Sequence, residues 1–429
     1  SRCPSGLIPM NTHKPRVGLA AIVKNEGRYL IEWLAHHLLM GFDHVYIVSN
    51  DSSDHTWPLL QALSQTLPIT CFSYATTPGI GPQLPVYEEI VRRHGHEVEW
   101  MAFMDADEFL WPSHHPDTVS DLLQATMHAH PDVGALALNW ATYGSSMKVA
   151  EESGLVTERF LHHAPQQHHL NHHFKSIIRM DAFAGFVCPH SCQLKPGYRY
   201  LHTDGTEKRD YYSAGQRNPS LSGDVCWTRF RINHYVIKSY AEYVRRKASR
   251  GRAYPECGPL DDPFFLGHDN NEVPSYPCAQ HIVELKARCQ DLAGRIGLAD
   301  PSCLLSKDSA APPAASIAIH LPVVGHVDAL EEQAGFITIT GWVLLWKTRP
   351  AAGFVVTIQH QAVPIEAWQA TERPDIQHHF PNASLQNGFE IRIRKPALGS
   401  AQDIAVSALT PDGHITQKIP SGASADTLP

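Results

Sequence analysis

The chain has 429 residues, of which 43% are hydrophobic and 18% carry a charged side chain. This length predicts two or three domains, and the composition is that of a globular protein able to bury a large core. The formal net charge of −8 excludes the strongly basic surface by which proteins hold nucleic acids, so no nucleic-acid partner is expected.

The nine cysteines are scattered singly and form no Cys-x-x-Cys motif. We therefore expect reduced thiols rather than a zinc ribbon or a dense disulfide framework, and a cytoplasmic protein that can associate peripherally with a membrane. The alternative is the secretory-pathway lumen, with bridges among Cys188, Cys192 and Cys226. No apolar run reaches the roughly 18 residues that span a bilayer. Because the sequence begins with Ser1, the alternative of an anchor segment upstream of it is kept.

Apolar runs and amphipathic segments alternate after a polar lead-in over residues 1–15. Strands are predicted at 17–23, 44–48, 69–74 and 100–104, and helices at 30–38, 56–64 and 85–93. This alternation predicts an α/β fold, in which helices flank both faces of a mostly parallel sheet. Ligands of such sheets bind at the carboxyl ends of the strands, and polar clusters at 24–26, 49–54 and 105–108 follow three of these strands.

The second half of the chain changes character twice. Residues 135–260 combine short strands, His-rich loops and a basic helix near 239–250, and we assign them to the acceptor side of a catalytic domain over 16–305. An Ala-, Pro- and Ser-rich stretch predicts a linker over 306–317. Short alternating strands with Gly and Pro turns then predict a β-sandwich within 318–429, ending in a disordered tail.

The acidic run after the fourth strand is the strongest chemical signal. Asp105 and Asp107 stand one residue apart where a buried strand ends. Two such carboxylates can share a hard divalent cation with phosphate oxygens, and a bound Mn²⁺ or Mg²⁺ stabilises the charge on a departing diphosphate. The alternative is an ordinary acidic turn, which its position in the βα series disfavours.

The polar residues after the first two strands are candidates for binding the nucleotide. Asn50 and Asp51 can hydrogen-bond a base or a ribose, although neighbouring polar residues also cap the next helix. Glu26 can accept from the same groups, and Lys24 can approach the diphosphate, with Asn25 between them. The alternative for residues 24–26 is a helix start, with a favourable acidic residue in the first turn.

Three segments together carry a family resemblance. KNEGRYLIEWLAHHLLMGFDHVYIVSNDSSD, EWMAFMDADEFLWP and INHYVIKSYAEYVRRKASRG resemble the signature blocks of glycosyltransferase family 92 and of the related branch of family 2. The blocks lie in order within residues 17–255. The resemblance implies a GT-A fold, a nucleotide-sugar donor, Mn²⁺ dependence and inversion at the anomeric carbon. Galactosyl transfer is one outcome in this family, and the sugar here stays open.

The resemblance also implies roles for residues outside the acidic run. His234 stands where GT-A enzymes often add a late metal ligand, with His190 as a weaker candidate. Lys238, Lys247 and Arg250 stand in the third block and are expected to screen the departing diphosphate. A solvated basic helix face is the alternative for these three cations.

Inverting transfer requires a base that takes the proton of the acceptor hydroxyl. The candidates are carboxylates of the second half of the catalytic domain, with Asp204 favoured over Glu207, Asp224, Asp210 and Glu158. Asn139, Trp140 and Tyr143 are candidates for the acceptor side because aromatic faces stack on sugars, while core packing is the alternative. A zinc site at the paired histidines of residues 162–173 is not expected, since no HExxH or Cys partner accompanies them.

The function predicted from these observations is transfer of a hexose from a nucleoside diphosphate, by preference UDP, to a glycan or a lipid- or protein-linked glycan. One alternative is a catalytically silent glycan- or nucleotide-binding protein on the same scaffold. A nucleotidyltransferase would need a Gly-rich basic loop after the first strand, which Lys24-Asn25-Glu26-Gly27 matches poorly. The tryptophans Trp342, Trp346 and Trp368 of the C-terminal module are expected either to stack on glycan or to pack internally.

Overall fold

The fold is described from a computed structural model, over residues 13–248, 260–297, 320–395 and 403–421. Arg250, most of the predicted lead-in, the predicted linker and the predicted tail lie outside these ranges. Within the described residues, no helix combines the length and apolar character needed to cross a membrane. The three cysteines named above as candidates for disulfide bridges are free thiols: Cys188, Cys192 and Cys226.

The strands are numbered in chain order. They are β1 (Val17–Val23), β2 (His44–Asn50), β3 (Ile69–Tyr74), β4 (Trp100–Phe103), β5 (Glu108–Pro112), β6 (Val133–Thr142), β7 (His162–His163), β8 (Phe174–Arg179), β9 (Phe183–Cys188), β10 (Ser191–Leu194), β11 (Arg199–His202), β12 (Asp210–Ser213), β13 (Gln216–Ser222), β14 (Phe230–His234), β15 (Val273–Pro274), β16 (Val324–Gln333), β17 (Phe336–Leu344), β18 (Gly353–Ile358), β19 (Gln361–Val363), β20 (Ile365–Thr371), β21 (Gly388–Arg394), β22 (Ile404–Leu409) and β23 (Ile415–Lys418).

The helices are numbered in the same way. They are α1 (Gly27–Leu39), α2 (Thr56–Ser64), α3 (Gln83–His94), α4 (Val119–Ala129), α5 (Val156–Arg159), α6 (Tyr240–Glu242), α7 (Asp262–His268), α8 (Ala279–Arg295) and α9 (Pro374–His379). A 3₁₀ turn covers His169–His172, and a π-helical segment, Tyr243–Ala248, follows α6 directly. The basic helix predicted near 239–250 is therefore a short α-helical turn that widens into a π-helix.

The catalytic part is built on one mixed sheet with the strand order β3-β2-β1-β4-β8-β6-β14-β5, and β11 also pairs with β6. Strands β1 to β4 pair in parallel, as the alternation of strands and helices predicts. Strand β8, however, lies antiparallel between β4 and β6, and β5 pairs antiparallel with β14. The predicted α/β fold is confirmed, with two antiparallel strands that the sequence pattern did not reveal.

Helices cover both faces of this sheet. Leu30 and Leu34 of α1 share a buried core with Leu60 of α2 and with side chains of α4 and α8. On the opposite face Tyr87 and Ile90 of α3 pack against the alternate residues of β1, β2 and β4. Alternate residues of these strands thus enter two different cores, which explains why their sequences are apolar throughout.

Two antiparallel sheets form the C-terminal module, with strand orders β16-β17-β21-β20 and β19-β18-β22-β23 in the part of the chain that the structure describes. Their inner faces share one core that includes Ile339 and Val356. The predicted β-sandwich is confirmed. Trp342 and Trp346 are buried and pack internally, whereas Trp368 is 41% exposed.

The module packs directly against the catalytic part. Tyr240, Tyr243 and Phe265 belong to the same buried cluster as the module's core. The Gln417 amide of β23 also donates to a carboxylate oxygen of Asp262, at 2.5 Å. Residues 240–243 and 262–265, which lie between β14 and α8, thus contact the module.

Candidate functional site

The predicted polar clusters meet at one edge of the sheet. Val23 of β1 lies beside Ser49 of β2, and Ala20 lies beside Phe103 of β4, all in parallel register. The residues that follow these strands therefore leave the sheet in the same direction. This arrangement brings the 24–26, 49–54 and 105–108 clusters to a common edge, as the strand pattern predicts.

On the nucleotide side, the candidate residues hold two turns together. Asn25 has a left-handed backbone (φ 54°), and its Oδ1 accepts from the Ser53 amide at 2.8 Å. The Asn50 amide donates to Thr76 Oγ1 at 2.8 Å. Asp51 is exposed, and the backbone N–H of Thr76 lowers the pKa of its carboxyl. Asn25 and Asn50 thus shape the edge, and Asp51 offers an ionised carboxylate to solvent.

Two cations of the third sequence block, Lys238 and Arg246, gather around Tyr29 of the first block. Arg246 forms an ion pair with Glu26, and its guanidinium lies 4.0 Å from the centre of the Tyr29 ring. The Lys238 ammonium lies 4.6 Å from the same ring centre. Burial lowers the pKa of Lys238 to about 8, and neighbouring Arg246 acts in the same direction. This crowding of cations favours an incoming anion.

Asp107, whose side chain is 14% exposed, lies beside two of the residues that the third block predicts. Lys247 Nζ lies 2.7 Å from Asp107 Oδ2, and His234 Nε2 lies 3.4 Å from Oδ1. Burial by itself would raise the pKa of Asp107, but Lys247 and His234 outweigh it and hold that pKa well below its ordinary value. The carboxylate is therefore ionised and ready to bind a cation. His234 Nδ1 is also buried and has no hydrogen-bond partner.

Asp105 has a partner that the sequence did not predict. Lys175, at the start of β8, is fully buried, and its Nζ lies 3.0 Å from Asp105 Oδ2 and 4.0 Å from Glu108 Oε2. The Gln83 amide donates to Asp105 Oδ1 at 2.6 Å. Burial raises the pKa of Glu108 well above its ordinary value. The available signal was a lysine set among apolar residues in the segment FKSIIR, between Phe174 and Ile177.

An indole and three imidazoles form a wall next to these charges. The Trp140 ring lies 4.6 Å from His173, 5.6 Å from His190 and 4.1 Å from His234, centre to centre. The Nδ1 atoms of His173 and His190 lie 3.0 and 2.8 Å from backbone carbonyl oxygens, so each donates from Nδ1 and keeps an Nε2 lone pair. Trp140 Nε1 is buried and lacks a partner.

The carboxylates named as candidate bases are engaged elsewhere. Asp224 forms a bidentate ion pair with Arg209, and Asp204 accepts from the backbone and hydroxyl of Thr206. Glu207 is exposed. The others are paired too: Asp210 lies against Lys208 and Arg217, and Glu158 lies 2.6 Å from Lys286. None of these contacts joins a candidate base to Asp105 or Asp107.

Asn139 and Tyr143 are used internally. The Asn139 amide donates to Ser222 Oγ at 2.8 Å, and its Oδ1 accepts from the Cys226 amide at 3.1 Å. Tyr143 is buried, and its hydroxyl accepts from Arg231 at 3.1 Å. Of the three acceptor-side candidates, Trp140 alone keeps an unpartnered polar atom next to the acidic run.

Comparison with protein families gives one match. Residues 90–215 match the model of glycosyltransferase family 92. A glycosyltransferase family 92 protein of Oryza sativa subsp. japonica is 27% identical over 191 residues, which cover 43% of this chain and 30% of the relative. A family 92 protein of Ricinus communis is 24% identical over 194 residues, or 43% of this chain and 33% of the relative. The chain thus spans about a third of these relatives.

Similar solved structures include TarS of S. aureus. Its full crystal structure covers 96% of this chain and 79% of its own, with 11% identity and a TM-score of 0.28. A structure of its 1–349 portion covers 39% of this chain and 48% of its own, with 18% identity and a TM-score of 0.26.

The region that matches the family model contains Asp105, Asp107, Trp140, Lys175 and His190, which meet at one edge of the sheet. As the sequence predicts, residues 90–215 of this chain are similar to glycosyltransferase family 92.

Proposed function

We propose that this chain transfers a sugar, with inversion, from a nucleoside diphosphate to a hydroxyl group of a glycan or glycoconjugate. The observation that carries the proposal is that Asp105 meets Lys175 and Asp107 meets Lys247 at the carboxyl edge of the sheet, together with the match of residues 90–215 to family 92. Nucleotide phosphates are the ligands that such an edge receives in α/β proteins.

In the proposed reaction, the acceptor oxygen attacks the anomeric carbon while the bond from that carbon to the diphosphate breaks. The diphosphate leaves with the electron pair, so negative charge develops on it. Lys238, Arg246 and Lys247 are placed to bind that charge, because they gather within contact of Glu26, Tyr29 and Asp107. Fixed charges in a site shielded from water stabilise such a transition state without reorganising.

We propose Mn²⁺ or Mg²⁺ as the cofactor, held by Asp107 and His234 with Asp105 close by. The residues fit such an ion, since Asp107 is an ionised carboxylate whose Oδ1 lies 3.4 Å from the Nε2 atom of the His234 imidazole. Carboxylate oxygens suit both ions, and imidazole is a common metal ligand. The ion would act as a Lewis acid toward the diphosphate. Lys247 would then release Asp107 and turn to the phosphates.

To test this proposal, the protein is incubated with a panel of nucleoside diphosphate sugars, UDP-sugars first. Each donor is tried with Mn²⁺, with Mg²⁺ and with EDTA. Release of the nucleoside diphosphate is measured with simple methyl glycosides as acceptors and with water alone. We expect turnover of one donor class, its loss in EDTA and its loss in Asp107→Asn with the fold unchanged. Full turnover in EDTA would refute the role of the ion, and no turnover of any donor would refute the function.

A further inference from the structure

A buried glutamate stands directly before the segment that carries Arg246 and Lys247. Glu242, the last residue of α6, is 1% exposed, and the π-helical segment Tyr243–Ala248 follows it. Arg246 and Lys247 of this segment form two of the ion pairs at the candidate site. π-Helical turns are rare and occur frequently at functional sites. The direction in which this segment leaves α6 decides where both cations lie.

Both carboxylate oxygens of Glu242 accept hydrogen bonds, and the donors belong to three different residues. Arg159 of α5 donates from Nη1 to Oε2 at 2.9 Å and from Nη2 to Oε1 at 3.0 Å. The hydroxyl of Tyr29 in α1 donates to Oε1 at 2.6 Å. The hydroxyl of Ser239, which caps α6, donates to Oε2 at 2.7 Å. Glu242 therefore ties the start of the π-helical segment to α1 and α5.

Arg159 supplies the charge that balances the Glu242 carboxylate. Both side chains are buried, and their two parallel hydrogen bonds fix the geometry of the pair. Burial by itself would raise the pKa of Glu242, but the hydrogen bonds from Arg159 outweigh it and hold that pKa below its ordinary value. The carboxylate is thus an ionised and rigid attachment point, and its charge is balanced without a cation from the candidate site.

Tyr29 connects this attachment point to the cations. Its hydroxyl is held by Glu242, while the Lys238 ammonium lies 4.6 Å and the Arg246 guanidinium 4.0 Å from the centre of its ring. Cations are attracted to the face of an aromatic ring. Lys238 has a left-handed backbone, with a φ of 62°, and directly precedes Ser239. Glu242 therefore acts on both cations through Tyr29 and Ser239.

We propose that Glu242 is a positioning residue for the diphosphate of the donor. It fixes α6, the π-helical segment and the Tyr29 ring in one arrangement, in which Arg246 and Lys247 meet the phosphates. The assignment rests on the proposed transfer from a nucleoside diphosphate, since the diphosphate is the group that these cations receive. Groups that are placed in advance bind a ligand without the cost of ordering them. Loss of the Glu242 carboxylate should therefore weaken the binding of a diphosphate.

Pyrophosphate is the probe for this proposal because it carries two phosphates without a base or a sugar. It is titrated into the whole chain by calorimetry in the presence of Mg²⁺. We expect Glu242→Gln to raise the Kd about tenfold. Tyr29→Phe keeps the ring and removes only the hydroxyl that Glu242 holds, so it should raise the Kd about threefold.

Glu32→Gln is the matched control. Glu32 is also a buried carboxylate, and it also ties α1 to α5, since it accepts from the Val156 amide at 2.7 Å and from the Thr157 amide at 3.0 Å. Glu32→Gln should lower the melting temperature and leave the Kd for pyrophosphate unchanged. If Glu242→Gln does not fold, the double variant Arg159→Met, Glu242→Leu replaces it. That variant removes both charges of the buried pair, which folded proteins often tolerate, and should show the same rise in Kd.

A double-mutant cycle separates positioning from a general loss of structure. In an Arg246→Met background, Glu242→Gln should raise the Kd only about threefold, because one of the cations that it positions is gone. A partly unfolded protein would lose the same factor in both backgrounds. Equal effects in the two backgrounds, or an unchanged Kd in Glu242→Gln, would overturn the proposal. A wild-type chain that does not bind pyrophosphate would overturn it as well.

Turnover of nucleoside diphosphate sugars is measured separately on the wild type. Pyrophosphate binding that depends on Glu242, without turnover of any donor, would leave the positioning role standing and refute the proposed transfer. Turnover of a donor with pyrophosphate binding that does not depend on Glu242 would refute only the positioning role.

Discussion

Removing the ammonium of Lys175 should destabilise the protein and disable the site. Deleting one partner of a buried ion pair costs about 3–5 kcal/mol. Lys175 is fully buried, but the Asp105 side chain is 34% exposed, so water can solvate the carboxylate that remains. Glu108 lies farther from the ammonium than Asp105 does, at 4.0 Å. We therefore expect Lys175→Met to lower the free energy of unfolding by about 3 kcal/mol, the lower end of that range.

Urea denaturation at pH 7 measures this loss, with Lys148→Met as the matched control. Lys148 forms an ion pair with Glu152 at 2.5 Å, but both side chains are more accessible, at 26% and 51%. A pair of this kind contributes about 0–1 kcal/mol. Sugar transfer by Lys175→Met should also fall about 100-fold, or about 2.7 kcal/mol. Equal stability of the two variants would refute the assigned role of Lys175.

Three further changes probe the site and its frame. Lys247→Met should raise the Kd for a nucleoside diphosphate about tenfold in calorimetry, which is a loss of roughly 1.4 kcal/mol of binding free energy. An unchanged Kd would show that Lys247 does not bind the phosphates. Burial lowers the pKa of His281 to about 4. The free energy of unfolding should therefore fall by about 1.4 kcal/mol per pH unit as the pH falls from about 6.5 towards 4. His281→Gln should reduce this pH dependence in urea titrations at several pH values, and an unchanged pH dependence would contradict the assignment. Gly144→Ala places a Cβ 2.4 Å from Asn271 Oδ1 and should lower the melting temperature, whereas Gly267→Ala, with open space around it, should not.

The elements at the front of the chain were predictable because their signals are local. The bounds predicted for β1, α2 and β3 match the structure at both ends. Each has an apolar run or an amphipathic period, bounded by polar residues. The antiparallel placement of β8 had no such signal, because strand direction depends on which neighbours pair in the folded sheet and not on the strand's own residues.

The residues of the candidate site also divide into those with a local sequence signal and those brought together only by strand pairing. Asp105 and Asp107 were predictable because they end a buried strand, and Lys247 and His234 because they stand in the third sequence block. Lys175 was missed since it lies 70 residues beyond Asp105, and only the antiparallel β8 brings the two together. The carboxylates proposed as bases failed to gather at the site because local partners such as Arg209 and Thr206 already hold them.

The charges of the site imply that the diphosphate and the divalent cation bind together. The two acidic groups of the Asp105–Asp107 run are each matched by a cation: Asp105 by Lys175, and Asp107 by Lys247. A divalent ion alone would have to displace Lys247 into a site already crowded with cations, and a diphosphate alone would meet the ionised Asp107. When both arrive, Lys247 can turn to the phosphate oxygens while Asp107 takes the ion. Calorimetry should therefore show that Mn²⁺ tightens the binding of the nucleoside diphosphate, and that Lys247→Met reduces this coupling, because the lysine is the group that changes partners.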